Sequence, residues 1–346
     1  MRPELAAVAA TQSGLVLRRQ AIAAGYRERE LRTLTGVRGS WVVVRRGVYV
    51  DRTTWDAVGE DGRWRLRDLA AHLTMTAPHV FSHDSAARAL ELPFLRPAQM
   101  LSHVTRPGVW GSRTEHGVKH HLSRQQPRLG ATVDGVPVTG LARTTVDLGR
   151  EHGFVTGVTA CDAALRRGVS RAELESEVAA MWCWPNITGA RSAVEAADPG
   201  AENLAESLAR LLVAELAPEL GRPRTQFPIR TPSGVFWCDV LLGTQLFELD
   251  GRIKYRLLQD GGVARRPVED VVWEEKRRQT EICAEGVGMS RLVWDDLFGA
   301  ARVRAARRLR AELAVTRARF GDRLPEHLER TARELADVRR RRIYGR

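Results

Sequence analysis

The chain opens with short apolar stretches at helical spacing, broken by polar and glycine punctuation. Residues 4 to 12 and 16 to 24 read as two helices separated by Ser13 and Gly14, and a third short helix is expected from about Arg27 to Thr35. The stretch WVVVRRGVYV then places two β-branched runs around Arg45, Arg46 and Gly47, which predicts a small hairpin. Three short helices followed by a hairpin predict a winged helix-turn-helix over residues 1–55. In the third helix Leu31 and Leu34 share the inward face while Arg29, Arg32 and Thr33 point away, with Arg27 at the helix start. A helix laid in a major groove needs that disposition, and Arg45 and Arg46 at the wing tip are placed to reach phosphates or the minor groove. A helical hairpin with solvated arginines is the plainer alternative.

Residues 56–195 change character. LRDLAAHLTMTA and SHDSAARALELP are helical, MLSHVTR, VKHHLS and VDGVPVTG are strand-like, and LARTTVDLGREHG and VTGVTACDAALRRGV return to helix. One α+β domain is expected, closed by a turn in MWCWPN and a linker in AADPGAEN, with a boundary near residue 195. Beyond it the pattern predicts a helix at about 202–216, strands at 235–242 and 246–249, a loop rich in Gly and Arg, a helix at 268–285 and a strand at 289–294. Residues 196–298 therefore read as a second α/β core, and 299–346 as a basic helical tail. The fold class is α+β multidomain.

Charge sharpens the picture. The chain has 346 residues, 54 basic against 42 acidic, and a formal net charge of +12. That excess favours a polyanionic partner, nucleic acid first, because each neutralised phosphate releases condensed counterion. Residues 1–55 carry ten Arg against four acids, and the tail carries 15 Arg against six. The tail is either a solvated basic helix or one that tracks DNA or a partner. No segment approaches the roughly 18 apolar residues that span a bilayer, and the start lacks the pattern of a secretory signal. A cytoplasmic protein with no membrane partner is expected.

Cys161, Cys183, Cys238 and Cys283 form no C-x-x-C pair and read as reduced core thiols. His83, His103, His120 and His121 lack paired spacing on one helix and read as hydrogen-bonded or surface histidines rather than ligands.

The chemistry concentrates in FELDGRIKY at residues 247–255. Asp239, near the end of VFWCDVLL, is followed after a turn at Gly243 to Gln245 by Glu248, so a hairpin brings the two carboxylates to neighbouring strand positions. They would repel unless a cation or proton stood between them. Asp250, one residue beyond Leu249, faces the same side in a regular strand. The candidate metal ligands are thus Asp239, Glu248 and Asp250, and an oxygen-only set suits Mg²⁺ or Mn²⁺. Such an ion stabilises charge on a phosphodiester oxygen and lowers the pKa of an attacking water. Lys254, one of only three lysines in the chain, is placed to orient that water or offset transition-state charge.

With these residues in this order, the C-terminal part resembles the PD-(D/E)XK nuclease superfamily, especially its very-short-patch-repair-like branch. The resemblance implies a Mg²⁺-dependent endonuclease-like domain. Its acidic helix residue corresponds to Glu206 in AESLAR, its metal carboxylates to Asp239 and Glu248. The helix EEKRRQTEICAEG followed by VGMSRLVWDDL puts Lys276 and Arg278 near the phosphates. The superfamily's usual lysine two residues after the second carboxylate is Asp250 here, and Lys254 takes its role by migration. The first half, through SGLVLRRQAIAAGYRERELRTL, WVVVRRGVYV, SHDSAARALELP and VDGVPVTGLARTTVDL, is similar to the AbiEi family of type IV antitoxins. That similarity implies a winged helix followed by an antitoxin-like α+β domain, transcription regulation through operator DNA, and a cognate toxin as partner. Two readings follow: a DNA-binding nuclease whose candidate catalytic residues are Glu206, Asp239, Glu248, Asp250 and Lys254, or a non-catalytic antitoxin or repressor that keeps a degenerate nuclease fold.

Overall fold

The computed structural model describes residues 1–108, 111–123, 129–250 and 268–345, with side chains in the last stretch described from Trp273 onward. The chain is α+β and divides into two compact units. One comprises Met1–Ala160 and Arg171–Val194, the other Cys161–Ser170 and Glu195–Arg346.

The first unit begins with α1 (Pro3–Ala10), β1 (Leu15–Leu17), α2 (Arg18–Ala23), α3 (Glu28–Leu34), β2 (Trp41–Arg45) and β3 (Val48–Asp51). The three strands form a sheet in the order β1-β3-β2, all antiparallel. Residues 16–24 are therefore not one helix, as their apolar spacing predicts. Leu15–Leu17 is a strand because its side chains alternate between two cores. Val16 packs with Leu5, Leu31, Trp41 and Tyr49, while Leu15 and Leu17 join Val48, Val50, Leu66, Leu69 and Val104. Burial on both faces outweighs the weak helical preference of a three-residue run.

Next come α4 (Arg52–Ala57), α5 (Glu60–Thr74), β4 (Val80–Phe81), α6 (His83–Ala89), β5 (Ser102–Arg106), β6 (Arg113–Glu115), β7 (Val118–Leu122), β8 (Leu129–Val133), β9 (Val136–Thr139), α7 (Leu141–His152), α8 (Phe154–Arg166), α9 (Arg171–Ala180) and α10 (Ile187–Ala196). The strands build a six-stranded mixed sheet in the order β6-β7-β5-β4-β9-β8. VDGVPVTG is not a single strand. Asp134 and Gly135, at φ 52° and 77°, make a two-residue turn that joins β8 to β9. An Asp-Gly pair with both φ values positive matches the twist of the flanking strands.

The second unit holds α11 (Leu204–Ala214), β10 (Arg224–Thr231), β11 (Gly234–Leu242), β12 (Gln245–Leu249), α12 (Val268–Ala284), β13 (Gly288–Leu292), α13 (Gly299–Phe320), α14 (Glu326–Glu334) and α15 (Ala336–Tyr344). Its sheet runs β10-β11-β12-β13, with the first three strands antiparallel and β13 parallel to β12. The turn from β11 to β12 needs Gly243, whose φ is 57° and whose missing Cβ would meet Leu220 at 3.1 Å. Helix α11 packs on β11 and β12, and α14 on β10. Phe227, Ile229, Cys238, Leu241, Leu246, Ile282 and Leu328 close a common core.

Residues 299–345 are thus not a basic tail apart from the core but pack into the second unit. Leu309, Leu313, Leu328 and Ile343 are buried, Arg339 donates to the Thr225 carbonyl, and Arg342 donates to Gln226 Oε1. Arg302, Arg310 and Arg317 likewise reach carbonyl and carboxylate partners at Glu215 and Glu219, while Arg304, Arg307, Arg330 and Arg341 stay exposed. Cys161 and Cys238 are buried, but Cys183 is exposed and Cys283 half-buried, so only two of the four are core thiols. Among the described residues no helix is long and apolar enough to cross a membrane.

Candidate functional site

The second unit brings three of the expected acidic residues into electrostatic contact. Continuing the register Leu241↔Leu246 and Val240↔Phe247 by one step sets Asp239 across from Glu248. Asp239 Oδ2 also accepts from the Leu249 amide at 2.8 Å, which ties its side chain to the end of β12. Glu206 comes from the first turn of α11. Asn203 caps that helix by accepting from the Glu206 amide at 3.0 Å, while the Glu206 carboxylate accepts from the Glu202 amide at 2.6 Å and from Asn203 Nδ2 at 2.7 Å. This reciprocal cap satisfies otherwise orphaned helix donors and fixes the carboxylate in place.

Burial sets the charge state of the cluster. Glu206 and Glu248 are each only 8% exposed. Desolvation, reinforced by repulsion from Asp239, raises the Glu206 carboxyl to about 7 against the helix-cap hydrogen bond. The same two causes raise Glu248 to about 7, although Arg278 pulls the other way. Among the described residues Glu248 Oε1 is buried with no hydrogen-bond partner, while Oε2 accepts from Arg278 at 3.2 Å. A buried carboxylate oxygen without a donor is costly and marks a place for a proton or cation.

Cations of the protein already engage the rim. Arg278 bridges Glu248 and Glu275, and Arg291 bridges Glu275 and Asp250, at distances from 2.6 to 3.3 Å. Burial works against the Arg278 guanidinium, but the two glutamates more than offset it and raise its pKa. Arg278 is therefore held by carboxylates rather than left facing a phosphate, whereas Lys276 is exposed on α12. Asp250 is held by Arg291 and by its own amide bond to the Leu292 carbonyl at 2.7 Å. Asp239, Glu248 and Asp250 do not form a ready three-oxygen cage. Among the described residues, the group of three side chains with ligand atoms all within 4.8 Å of one another is His83, His103 and His121. Lys254 lies outside the described residues.

In the first unit Arg27, Arg29, Arg32 and Thr33 are exposed along α3, and Leu31 is buried beneath them. Arg46 is exposed at the β2–β3 turn. Arg45 is half-buried and donates to the His116 carbonyl at 2.8 Å, so it braces the hairpin instead of extending from its tip. The histidines are neither scattered nor superficial: His83, His103, His120 and His121 are all buried. The available signal was strand alternation, since His103 in SHVTR and His121 in VKHHL each sit one residue from an apolar position. Only the pairing of Thr105 with His121 brings them together.

The raised glutamates imply a pH dependence with a definite sign. Between about 4.5 and 7 the folded second unit retains protons on Glu206 and Glu248 that the unfolded chain has released, so stability falls as pH rises through that window. The buried histidines of the first unit act oppositely. Desolvation lowers His83, His103 and His121, the last to about 2, so that unit gains stability as pH rises toward 6.5. Hydrogen exchange of β11 and β12 amides should accelerate between pH 5 and 7.5 after correction for the intrinsic rate, and β5 and β7 amides should slow. Equal trends in the two units would contradict the assignment.

No protein-family model matches the chain, and no curated protein is significantly similar to it.

Proposed function

We propose that the chain binds DNA through its N-terminal unit and hydrolyses phosphodiester bonds with Mg²⁺ or Mn²⁺ in its C-terminal unit. One observation carries the reading: the buried Glu206 and Glu248 carboxylates meet at the half-buried Asp239, and Glu248 Oε1 has no hydrogen-bond partner among the described residues. The element order α11-β10-β11-β12-α12-β13, with a parallel final pair, supports a PD-(D/E)XK-like core. The residues suit a hard divalent cation, because Mg²⁺ keeps several waters and takes only one or two carboxylates. Asp239 and Glu248 would hold it, and bound there it supplies Lewis acidity for a phosphodiester oxygen. Glu206, fixed by its cap and raised to about 7, has the proton affinity of a base for water at neutral pH. Asp250 positions Arg291, and Lys254 is assigned charge stabilisation from its sequence position alone.

The N-terminal order of three helices and a hairpin, with exposed Arg27, Arg29, Arg32 and Thr33 on α3, supports a winged helix that docks this helix on DNA. Arg46 and Lys276 are exposed for binding phosphate. Supercoiled plasmid incubated with the protein and Mg²⁺ tests the enzymatic reading. Nicking that disappears in Asp239→Asn is the expected result, and equal nicking by both proteins, or none with any divalent metal, would sink it.

A second reading has its own support. Arg278 and Arg291 occupy Glu248 and Asp250, and no lysine stands two residues after Glu248. This favours a non-catalytic AbiEi-type antitoxin or transcriptional repressor on operator DNA, with a cognate toxin as partner. Both readings predict salt-sensitive DNA binding. Arg29→Ala with Arg32→Ala should reduce the slope of log K against log salt by about 0.9 for each phosphate that is no longer neutralised. An unchanged slope in fluorescence-anisotropy titrations would remove α3 from the interface.

A further inference from the structure

The first unit buries a cluster that the proposed DNA chemistry does not use. His83 opens α6, His103 lies on β5 and His121 on β7, and strand pairing places Thr105 beside His121 on the face that also carries His103. His103 Nδ1 stands 3.0 Å from His121 Nε2, and the His83 and His121 rings stack at 3.7 Å. All three rings are almost fully buried. Two imidazole nitrogens at this distance either share a proton or face a common cation. A tetrahedral site with metal–nitrogen bonds of about 2.0–2.1 Å places its nitrogens roughly 3.3 Å apart, close to the His103–His121 spacing, and one ligand atom from each of the three rings lies within 4.8 Å of the others.

The outward nitrogens are arranged as an outer shell. His103 Nε2 faces Asp84 Oδ2 at 3.8 Å, and this buried oxygen has no hydrogen-bond partner among the described residues. His121 Nδ1 lies 3.3 Å from Ser112 Oγ. A cation on His103 Nδ1 would keep the ring proton on Nε2, aimed at the orphaned carboxylate oxygen, which is the carboxylate–histidine–metal pattern. His152 Nε2 holds the other oxygen of Asp84 at 2.6 Å. His83 sits at φ 49°, a left-handed conformation that costs a non-glycine residue free energy and recurs at functional sites. Arg143 and Arg150, the nearby cations of α7, are both paired with Asp147, which limits their repulsion of an ion.

We propose that His83, His103 and His121 form a site for a divalent first-row transition metal, with zinc as the primary candidate and a fourth coordination position left to solvent. Three imidazoles suit Zn²⁺ and its neighbours and exclude Mg²⁺ and Ca²⁺, which take oxygen ligands. His83 and His121 also line a cavity of about 530 Å³ with Arg143, Arg150, Trp182 and Trp184, so the open position faces accessible space. The site is chemically distinct from the carboxylates of the other unit.

The full-length protein, stripped with a chelator and dialysed against Zn²⁺, provides the test. One zinc per chain is expected, with an X-ray absorption first shell of three imidazole nitrogens at about 2.0–2.1 Å. Asp84→Asn should weaken binding roughly 10–100-fold through the outer shell, and His103→Gln should weaken it further. Wild-type protein that retains no stoichiometric zinc, or a first shell of oxygen or sulfur, would overturn the proposal. The absorption spectrum needs only wild-type protein, so a variant that fails to fold does not blunt the test.

Discussion

Glu248→Gln is expected to abolish Mg²⁺-dependent nicking while making the C-terminal unit harder to unfold at pH 8. The two effects share one cause. Glu248 is buried beside Asp239, and desolvation with that repulsion raises its carboxyl to about 7, so ionisation at pH 8 works against folding. An amide of the same shape removes the repulsion and offers a donor where Oε1 has no partner among the described residues. Arg278 keeps its bond to Glu275 at 2.9 Å, so it is not stranded. A gain of about 1–3 kcal/mol is expected at pH 8, shrinking toward pH 5 as wild-type Glu248 protonates. Cleavage should fall at least roughly 10²-fold, because a neutral amide neither attracts the cation nor offsets its charge. Denaturant melts and plasmid nicking at the same pH check both halves. Loss of stability together with activity would mean that Glu248 serves the fold as an ion-pair partner of Arg278.

Asp162→Ala is expected to cost about 3–5 kcal/mol, the largest single loss of stability in the second unit. Asp162 is buried at the end of α8 and accepts from Arg210 Nη2 at 2.9 Å and from the Asp198 amide at 2.7 Å. Burial raises its pKa from the ordinary value even with Arg210 alongside. Arg210 lies on α11, one turn beyond Glu206, and is itself buried. Removing the carboxylate would leave a buried guanidinium without its counter-charge, so the penalty exceeds the net value of the intact pair. Asp162→Asn, which keeps the acceptor geometry, should cost less. Urea unfolding followed by probes in α11 and β11 would resolve the order. A change below about 0.5 kcal/mol would show that Arg210 finds other partners, such as the Ala196 carbonyl it already reaches at 2.9 Å.

Much of the local architecture was legible. The three short N-terminal helices and the β2–β3 hairpin follow from helical spacing and a β-branched run broken by Gly47. Strands β11 and β12 follow from two apolar runs separated by a glycine turn. What failed did so for identifiable reasons. Leu15–Leu17 becomes a strand because two cores claim alternate side chains, a condition set by residues as distant in sequence as Val138. Strand β10 has no clear alternation, as Gln226, Phe227, Pro228 and Ile229 are all buried, so periodicity could not reveal it. The composition of the tail, dominated by arginine, left open a solvated helix or one that tracks DNA or a partner, and gave no sign that Leu328 and Ile343 would be buried in the second unit.

The candidate sites divide along the same line. Asp239 and Glu248 could be brought near each other from sequence because a short turn at Gly243 to Gln245 limits which strand positions meet, whereas the register itself follows from the pairing of Leu242 with Gln245, which leaves only Gly243 and Thr244 in the turn. Composition likewise implied a polyanionic partner, since net charge needs no fold. The neutralisation of Glu248 by Arg278 and of Asp250 by Arg291 depends instead on α12 and β13 returning to the same end of β12. The histidine cluster depends on β5 pairing with β7 and on α6 starting above them. Ligand sets assembled from separate elements leave no spacing rule in the chain, because long-range pairing is decided by the burial of whole sheets and not by any local run of residues.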